Sequence, residues 1–243
     1  MVDALVLAAG LGTRMRHLTD EIAKPAIVVE GDSIVARLVK QLLNCEDVGT
    51  VYVNVSYQAK SVVDALNTVD IPQGKRVIFL WERKPMGTSW SLMKLSERNC
   101  GDVLVIHGDL LLSHGSINKM LKFSIENPQF SILTVHKRSF ARARSVIILE
   151  NEFVVNFHEK GPTSSILPTP HVWSNSGLYF FRRRHLMNYS SDFMIGKSIP
   201  DSILPHLISM RQLIWCEFIG HRYSLENPTD VKKAGRDFRK KFL

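Results

Sequence analysis

The residues from Gly10 to Lys24 are those whose types and spacing could do chemistry on phosphate groups. Gly10 and Gly12 follow a short apolar run, and residues without a Cβ let backbone N–H groups come close to an anion. Thr13 adds a hydroxyl, and Arg14 and Lys24 add two cations that could reach the same anion. The stretch therefore predicts a loop that binds a triphosphate.

Two better-known glycine loops do not match this sequence. A Walker A loop requires Gly-x-x-x-x-Gly-Lys-Ser/Thr, and no such run follows Gly10. The dinucleotide-binding fingerprint requires a third glycine, and Met15 stands at that position. Because a Gly-x-Gly sequence alone is also typical of an ordinary turn, the interpretation depends on the longer string around it.

The composition favours one α/β domain in the cytoplasm. The chain has 243 residues, of which 45% are hydrophobic and 22% are charged, as in ordinary globular proteins. No apolar run is long enough for a membrane span, and the first strand begins so early that we expect no signal peptide. Cys45, Cys100 and Cys216 form no Cys-x-x-Cys motif, which favours buried thiols in a reducing compartment.

The formal net charge of +8 is compatible with several anionic partners. Much of the excess lies in Arg182-Arg183-Arg184 and in the tail from Lys232 to Lys241, which has the pattern of an amphipathic helix with a solvated basic face. Aromatic residues do not alternate with these basic residues as a base-stacking surface requires. We therefore expect neither nucleic acid nor a membrane as a partner.

Strand and helix patterns alternate through the first half, which predicts a parallel sheet with helices on both faces. Ligands bind at the carboxyl ends of such strands. Asp109 follows a buried strand beside Gly108, where a carboxylate can hold Mg²⁺ against phosphate oxygens. The predicted strands are 4–9, 26–29, 51–55, 76–81 and 103–106, and the predicted helices begin at Ser33, at Ser56 and near Trp90, with Thr88 or Ser89 as the N-cap of the last.

The pattern changes after residue 136. Two apolar runs, 146–149 and 153–157, flank a short polar turn and predict a β-hairpin. Farther along, 175–181 and 212–219 are predicted strands and 199–210 is a predicted helix.

The string Leu7-Ala-Ala-Gly-Leu-Gly-Thr-Arg-Met-Arg16, with Thr19, Lys24 and Pro25, resembles the signature of the sugar-1-phosphate nucleotidyltransferases, which make nucleoside-diphosphate sugars. The resemblance extends from Leu5 to about Lys233. It implies that the glycine loop wraps the triphosphate, that the arginine supports the departing pyrophosphate and that the lysine contacts phosphate. The nucleotide-binding residues implied in this stretch are Leu7, Ala9, Gly10, Gly12, Thr13 and Arg14.

The same resemblance assigns roles farther along the chain. Glu82, Gly87 and Thr88 match a segment that faces the nucleobase, and Gly108-Asp109 matches a triplet whose aspartate binds magnesium, although His107 departs from its commonest first residue. The residues implied to bind the sugar phosphate are Glu159, Lys160, Asn175 and Gly177.

The resemblance weakens at the segment Arg222 to Asp230. Alignment on the proline that precedes the last helix puts Ser224 where the family has its second magnesium-binding aspartate, and Glu226 where it has a glycine. Three alternatives stay open: Glu226 substitutes as the ligand, a water held by Ser224 completes the coordination, or catalysis is lost and binding is retained.

The predicted fold is α/β, with a Rossmann-like, mostly parallel mixed sheet flanked by helices and a β-rich sugar-binding insertion. One domain is expected over 1–243, with a nucleotide-binding half (1–136) and a sugar-phosphate-binding half that includes the C-terminal helix (137–243). The predicted catalytic residues are Arg14, Lys24, Asp109 and Lys160, with Mg²⁺ as cofactor.

The resemblance implies that an NTP and a sugar 1-phosphate give an NDP-sugar and pyrophosphate, for bacterial surface polysaccharide or glycoconjugate synthesis. The alternatives are a cytidylyltransferase acting on a phosphate such as phosphocholine and a catalytically degenerate nucleotide-sugar-binding protein. The base, the sugar and the formation of a homo-oligomer are left open.

Overall fold

A computed structural model describes residues 1–98, 100–140, 143–159, 170–187 and 189–242. None of the helices in these ranges is long and apolar enough to cross a membrane. The strands are β1 (Val2–Leu7), β2 (Val28–Val29), β3 (Asp32–Ser33), β4 (Val48–Val55), β5 (Arg76–Trp81), β6 (Val103–His107), β7 (Leu110–Leu112), β8 (Ser131–Ser139), β9 (Val146–Glu150), β10 (Phe153–His158), β11 (His171–Phe181), β12 (Leu213–Glu217) and β13 (Arg222–Ser224).

Two of the helices begin directly after polar residues that cap them. Ser33 accepts a hydrogen bond from the backbone N–H of Ala36, and Asn227 forms a capping box with Asp230. The α-helices are α1 (Ile34–Leu43), α2 (Ala59–Leu66), α3 (Thr88–Ser96), α4 (Ser116–Glu126), α5 (Arg183–Leu186), α6 (Ile199–Ser209) and α7 (Pro228–Lys241), and 3₁₀ helices cover Thr13–Thr19, Lys24–Ala26 and Ser191–Met194.

The chain divides into two compact units. The first unit contains Met1–Met86, Val103–Lys119 and Ile219–Leu243, and the second contains Gly87–Asp102 and Met120–Phe218. The predicted halves, 1–136 and 137–243, stay a prediction.

A parallel sheet in the order β5-β4-β1-β6 forms the centre of the first unit. The chain moves from β1 to β4 and β5 on one side and then crosses to β6 on the other, so that β1 and β6 meet where the strand order reverses. Leu7 lies in register with Asn54 on one side and His107 on the other. Open parallel sheets bind ligands at this reversal, beyond the carboxyl ends of the strands.

The second unit has a mixed sheet in the order β11-β8-β12-β10-β9. β12 runs parallel to β8, whereas β8 is antiparallel to β11 and β10 is antiparallel to both β12 and β9. The predicted hairpin is β9 and β10, and it is confirmed. Together with the parallel sheet of the first unit, this unit confirms the predicted α/β class with a β-rich insertion.

An apolar cluster in the first unit anchors the segments on either side of Asp109. Met15 and Leu225 are fully buried in it, and α7 contributes Phe238 and Phe242. Met15 thus takes a core position where a dinucleotide fingerprint would need a glycine. Because hydrophobic burial is the main stabilising term for such contacts, the cluster fixes both the 3₁₀ helix after the glycine loop and the turn that follows β13.

Two local predictions need correction. Of the strand predicted at 26–29, only Val28–Val29 forms a strand, and Ala26 is the last residue of the 3₁₀ helix Lys24–Ala26, where Pro25 has no N–H to donate to a sheet. The N-cap of α3 is Gly87, not Thr88 or Ser89, and its φ of 95° is one that glycine adopts readily.

Candidate functional site

β1 and β6 are held so closely at their carboxyl ends that only glycine fits after β6. The N–H of Gly108 donates to the carbonyl oxygen of Leu7 at 2.9 Å, and a Cβ added to Gly108 would lie 2.7 Å from that oxygen. This contact brings the glycine loop after β1 and Asp109 after β6 to the same edge of the sheet.

The glycine loop is open to solvent at Gly10 and packed at Gly12. A Cβ on Gly10 would meet no atom within 4 Å, whereas one on Gly12 would lie 3.0 Å from Thr19 Cγ2 and 3.2 Å from Lys24 Cβ. Gly12 also has a φ of 66°, and its carbonyl oxygen accepts a hydrogen bond from Thr19 Oγ1 at 3.1 Å. The turn therefore lies directly against the Lys24 side chain, with Thr13 exposed beside it.

Lys24 and Asp109 form an ion pair at this edge. Lys24 Nζ donates to Asp109 Oδ2, and the exposed fractions of the two side chains are 15% and 21%. Burial opposes ionisation of Asp109, but the positive charge of Lys24, with His107 and Arg222, holds the pKa of its carboxyl below the ordinary value. Asp109 is therefore ionised at neutral pH.

β13 brings the predicted second ligand segment next to Asp109. Ser224 pairs with Leu110 in the antiparallel ladder of β13 and β7, and the N–H of Leu225 donates to the carbonyl oxygen of Asp109 at 3.2 Å. Beyond it, a carboxylate oxygen of Glu226 lies 3.6 Å from Arg14 Nη1. The exposed fractions of the Arg14 and Glu226 side chains are 65% and 16%, so the arginine is the more accessible partner.

Asp109 is the candidate carboxylate for the predicted magnesium ion. The described residues contain no group of three or more His, Cys, Asp or Glu side chains that could hold a metal ion. Asp109 is bound by Lys24, and Glu226 is paired with Arg14. Mg²⁺ is commonly held by one or two carboxylates together with substrate phosphates and water, so Asp109 fits as a carboxylate ligand.

Glu82 is the centre of a hydrogen-bond chain across three strand ends. Asn54 Oδ1 accepts from the N–H of Ala8 at 2.5 Å, and Asn54 Nδ2 donates to Glu82 Oε1 at 2.8 Å. The other carboxylate oxygen accepts from the N–H of Met86 at 2.9 Å. The contact of Glu82 with a nucleobase stays a prediction. Sequence reasoning missed Asn54, whose signal is a polar residue inside an apolar strand.

Gly87 and Thr88 lie in the second unit, where both contact the segment before α6. A Cβ on Gly87 would lie 2.5 Å from the carbonyl oxygen of Lys197. Thr88 Oγ1 accepts a hydrogen bond from the N–H of Ile199 at 2.9 Å. These contacts give both residues a structural role, and their predicted nucleotide contacts are untested.

The residues predicted to contact the sugar phosphate also belong to the second unit. Ser198 Oγ donates to a Glu159 carboxylate oxygen at 3.3 Å. Asn175 Oδ1 accepts from the N–H of Gly177 at 2.8 Å, and Asn175 Nδ2 donates to the Tyr179 hydroxyl at 2.6 Å. The φ of Gly177 is 78°, in a bulge of β11. Lys160 lies outside the described residues.

Comparison with known proteins gives consistent matches along the chain. A family model described as nucleotidyl transferase matches residues 3–210. The bifunctional protein GlmU of Methanococcus maripaludis is 23% identical over 252 residues, covering 100% of this chain and 56% of that protein. A putative mannose-1-phosphate guanyltransferase of Sulfolobus acidocaldarius is 25% identical over 212 residues, covering 86% and 55%.

A solved structure shows the same fold. The crystal structure of HddC from Yersinia pseudotuberculosis matches with a TM-score of 0.78 at 24% identity, covering 98% of this chain and 100% of that one. HddC has also been solved in complex with GMP-PN. The chain spans about half the length of the curated relatives that it matches.

Proposed function

This chain belongs to the nucleotidyl transferase family, and we propose that it condenses an NTP with a sugar 1-phosphate to give an NDP-sugar and pyrophosphate. The observation that carries the proposal is the Lys24–Asp109 pair beside the open glycine loop, at the strand-order reversal of a parallel sheet. That arrangement supplies backbone N–H groups, cations and one carboxylate at the edge where phosphates bind in such sheets.

The proposed reaction is an in-line displacement at the α-phosphorus of the NTP. An oxygen of the sugar phosphate forms the new bond to the α-phosphorus, and the bond from that phosphorus to the pyrophosphate oxygen breaks. No protein nucleophile takes part, so rate enhancement comes from positioning and charge stabilisation. The backbone of Gly10 to Thr13 binds the triphosphate, and Arg14 and Lys24 stabilise the charge that develops on the departing pyrophosphate.

Asp109 has a second role toward a metal. Members of this family generally use a divalent metal ion, and we propose Mg²⁺ held by Asp109. When bound, Mg²⁺ would neutralise phosphate charge. Lys24 pairs with one oxygen of Asp109, so the metal would be held by the other carboxylate oxygen while the ammonium turns toward phosphate. Ser224 and Glu226 are the candidates for a second contribution, Ser224 through water.

The remaining predicted residues complete the proposal. Glu82, Gly87 and Thr88 would contact the nucleotide on its base side. The backbone of Leu7, Ala9 and Gly108 would contact the same nucleotide. The residues proposed to bind the sugar phosphate are Glu159, Lys160, Asn175 and Gly177. Synthesis of bacterial surface polysaccharide or glycoconjugates, and a cytoplasmic location, belong to the proposal as well.

The experiment is pyrophosphate release from ATP, GTP, CTP, UTP and dTTP, each with Mg²⁺ and with a panel of sugar 1-phosphates and phosphocholine. We expect pyrophosphate release with one pairing of nucleotide and sugar phosphate. Mass spectrometry should then detect the matching NDP-sugar. Release only with CTP and phosphocholine would replace the proposal by the cytidylyltransferase alternative. Nucleotide binding by calorimetry without release under any condition would favour the degenerate binding protein, and recovery of release in Ser224→Asp would then argue for the original reaction.

A further inference from the structure

β5 forms one edge of the parallel sheet in the first unit. All six of its residues pair with β4 in an unbroken parallel register. No other strand in the described ranges of the chain pairs with β5. One side of β5 therefore carries backbone hydrogen-bonding groups that no strand of this sheet uses.

A hydrogen bond at the end of β5 shows which of its backbone groups face outward. The N–H of Glu82 donates to the carbonyl oxygen of Val55 in β4 at 2.9 Å. Backbone groups of successive residues in a strand point to opposite neighbours, so those of the even-numbered residues in β5 face β4. The N–H and C=O groups of Val77, Phe79 and Trp81 consequently face away from β4.

The side chains along this edge are apolar. Val77, Ile78 and Phe79 are partly exposed, and Trp81 is 65% exposed. The ring centroids of Phe79 and Trp81 lie 6.3 Å apart. Proteins usually protect a free edge with a proline, a bulge or a charged residue within the strand, and β5 has none of these after Arg76. The edge is therefore suited to pairing with another strand.

Basic residues lie at both ends of the apolar edge. Lys75 and Arg76 precede it, and Arg83 and Lys84 follow it. The ammonium of Lys75 is bound by backbone carbonyl oxygens near the start of β4, whereas the other three basic residues are exposed. Glu82 is the one acidic residue of the segment 75–84, and its side chain is buried. The charge that this edge presents to solvent is thus positive at each end.

A second copy of this chain does not match these charges. Two copies of β5 related by a two-fold axis would pair antiparallel, so the Lys75–Arg76 end of one strand would lie beside the Arg83–Lys84 end of the other. Like charges that face each other across a strand pair are destabilising. A partner strand with acidic residues at both ends would face basic residues in either strand direction.

We propose that the outer side of β5 binds an extended acidic segment of another protein, which adds a strand to the sheet. Main-chain hydrogen bonds to Val77, Phe79 and Trp81 hold the segment, and its apolar side chains at alternate positions pack on the two rings. Acidic residues at its ends pair with the exposed basic residues at the ends of β5. This inference uses none of the residues proposed to act in the reaction, so the two can fail separately.

The probe is the acetylated and amidated peptide Glu-Glu-Val-Thr-Val-Thr-Val-Glu-Glu, and its binding to the full chain is followed by amide hydrogen exchange in NMR spectra. Without peptide, the N–H groups of Val77, Phe79 and Trp81 should exchange fast, and those of Ile78 and Leu80 slowly. Saturating peptide should slow exchange of the three outward N–H groups by about tenfold or more. A peptide with lysine in place of each glutamate should bind at least about tenfold more weakly.

Two pairs of variants separate strand pairing from other kinds of contact. Val77→Pro removes one outward N–H at a position where an edge strand tolerates proline, so it should stay folded in unfolding curves and bind the acidic peptide about tenfold more weakly. Val77→Thr keeps the N–H and should bind within about twofold of the wild type. Arg83→Gln should weaken binding about threefold, whereas Lys60→Gln, at an exposed site on α2, should leave it unchanged.

Several outcomes would overturn the proposal. The acidic peptide might leave exchange of the outward N–H groups unchanged at millimolar concentration, or the lysine peptide might bind as tightly as the acidic one. Equal binding by Val77→Pro and Val77→Thr would exclude strand pairing. Slow exchange of the outward N–H groups without peptide, with a dimer in analytical ultracentrifugation, would show that a second copy occupies the edge instead.

Discussion

Two carboxylates follow parallel strands at the same edge of the first unit, and they have different partners. Asp109 follows β6, keeps 21% of its side chain exposed and is paired with the flexible ammonium of Lys24. Glu82 follows β5, is only 6% exposed and accepts from the Asn54 amide and from a backbone N–H. Position at a strand end is therefore the same, but the freedom to exchange partners is not.

The different partners of the two carboxylates give them different roles at this edge. A lysine can leave a carboxylate when a more highly charged phosphate arrives, because its ammonium is carried on a flexible four-carbon stem. A backbone N–H cannot leave without moving the chain, and a buried carboxylate that loses its donors pays a desolvation penalty. Asp109 is accordingly suited to binding substrate or metal, and Glu82 to holding the ends of β1, β4 and β5 together.

The largest effect should come from removing the mobile cation. Lys24→Ala should lower kcat/KM by about 100- to 1,000-fold, because the charge that develops on pyrophosphate loses its stabilising ammonium. Steady-state pyrophosphate release measures this. Lys40→Ala is a matched control, since Lys40 forms an ion pair with Asp32, with an N···O distance of 2.7 Å, that does not involve Asp109. A Lys24→Ala enzyme with kcat/KM within threefold of the wild type would contradict the view that Asp109, unlike Glu82, has a partner that moves to the substrate.

The next effect tests what positions Asp109. Leu225 is fully buried beside the ladder that contacts Asp109, and Leu225→Ala should lower the free energy of unfolding by about 2–5 kcal/mol through lost burial and a residual cavity. Urea unfolding measures the change. Leu11→Ala, at a half-exposed position, should change it by less than about 0.5 kcal/mol. Equal effects would show that the apolar cluster does not anchor this segment.

A smaller effect is expected at the fixed carboxylate. Glu82→Gln replaces one of two acceptor oxygens by a donor, so one of the N–H groups around it loses its partner, at a cost of about 1–3 kcal/mol in unfolding free energy. Glu21→Gln, at an exposed site, provides the control. Base preference among the five NTPs should stay the same. Unchanged stability with altered base preference would instead favour the predicted nucleobase contact.

The smallest change concerns the Cys45 thiol, whose pKa is set by burial more than by the nearby charge of Lys75. Burial raises the pKa of the Cys45 thiol to about 11, although the charge of Lys75 opposes it. Because the thiolate is the reactive form, labelling of Cys45 by iodoacetamide should keep rising about tenfold per pH unit up to pH 10, where an ordinary thiol levels off near 9. Mass spectrometry of the labelled peptide follows the rate. A plateau near pH 9 would contradict the dominance of burial at this site.

The fold and the strand ends could be predicted because their signals are local. Apolar runs such as Leu5–Val6 and 103–106 mark buried strands, and polar residues directly after them mark candidate ligands. The contact between Lys24 and Asp109 was not predicted, because 85 residues separate the two in the chain. Residue types alone do not give the partner of a side chain.

Other features depended on packing that no local pattern encodes. Asn54 has a ladder partner in β1 and a side-chain partner in Glu82, and neither follows from its own neighbours in the sequence. The fit of Gly87 depends on Lys197, more than a hundred residues later. Such tertiary contacts determine which of the predicted polar residues retain free donors and acceptors.

The most direct test of the central claim is pyrophosphate release by Asp109→Ala and the wild type, measured side by side with the productive pair of NTP and sugar phosphate at saturating Mg²⁺. We predict that Asp109→Ala remains folded and loses at least about 100-fold in kcat/KM. A folded Asp109→Ala protein that turns over at a near-normal rate would contradict the assignment of the reaction to the edge where β1 and β6 meet.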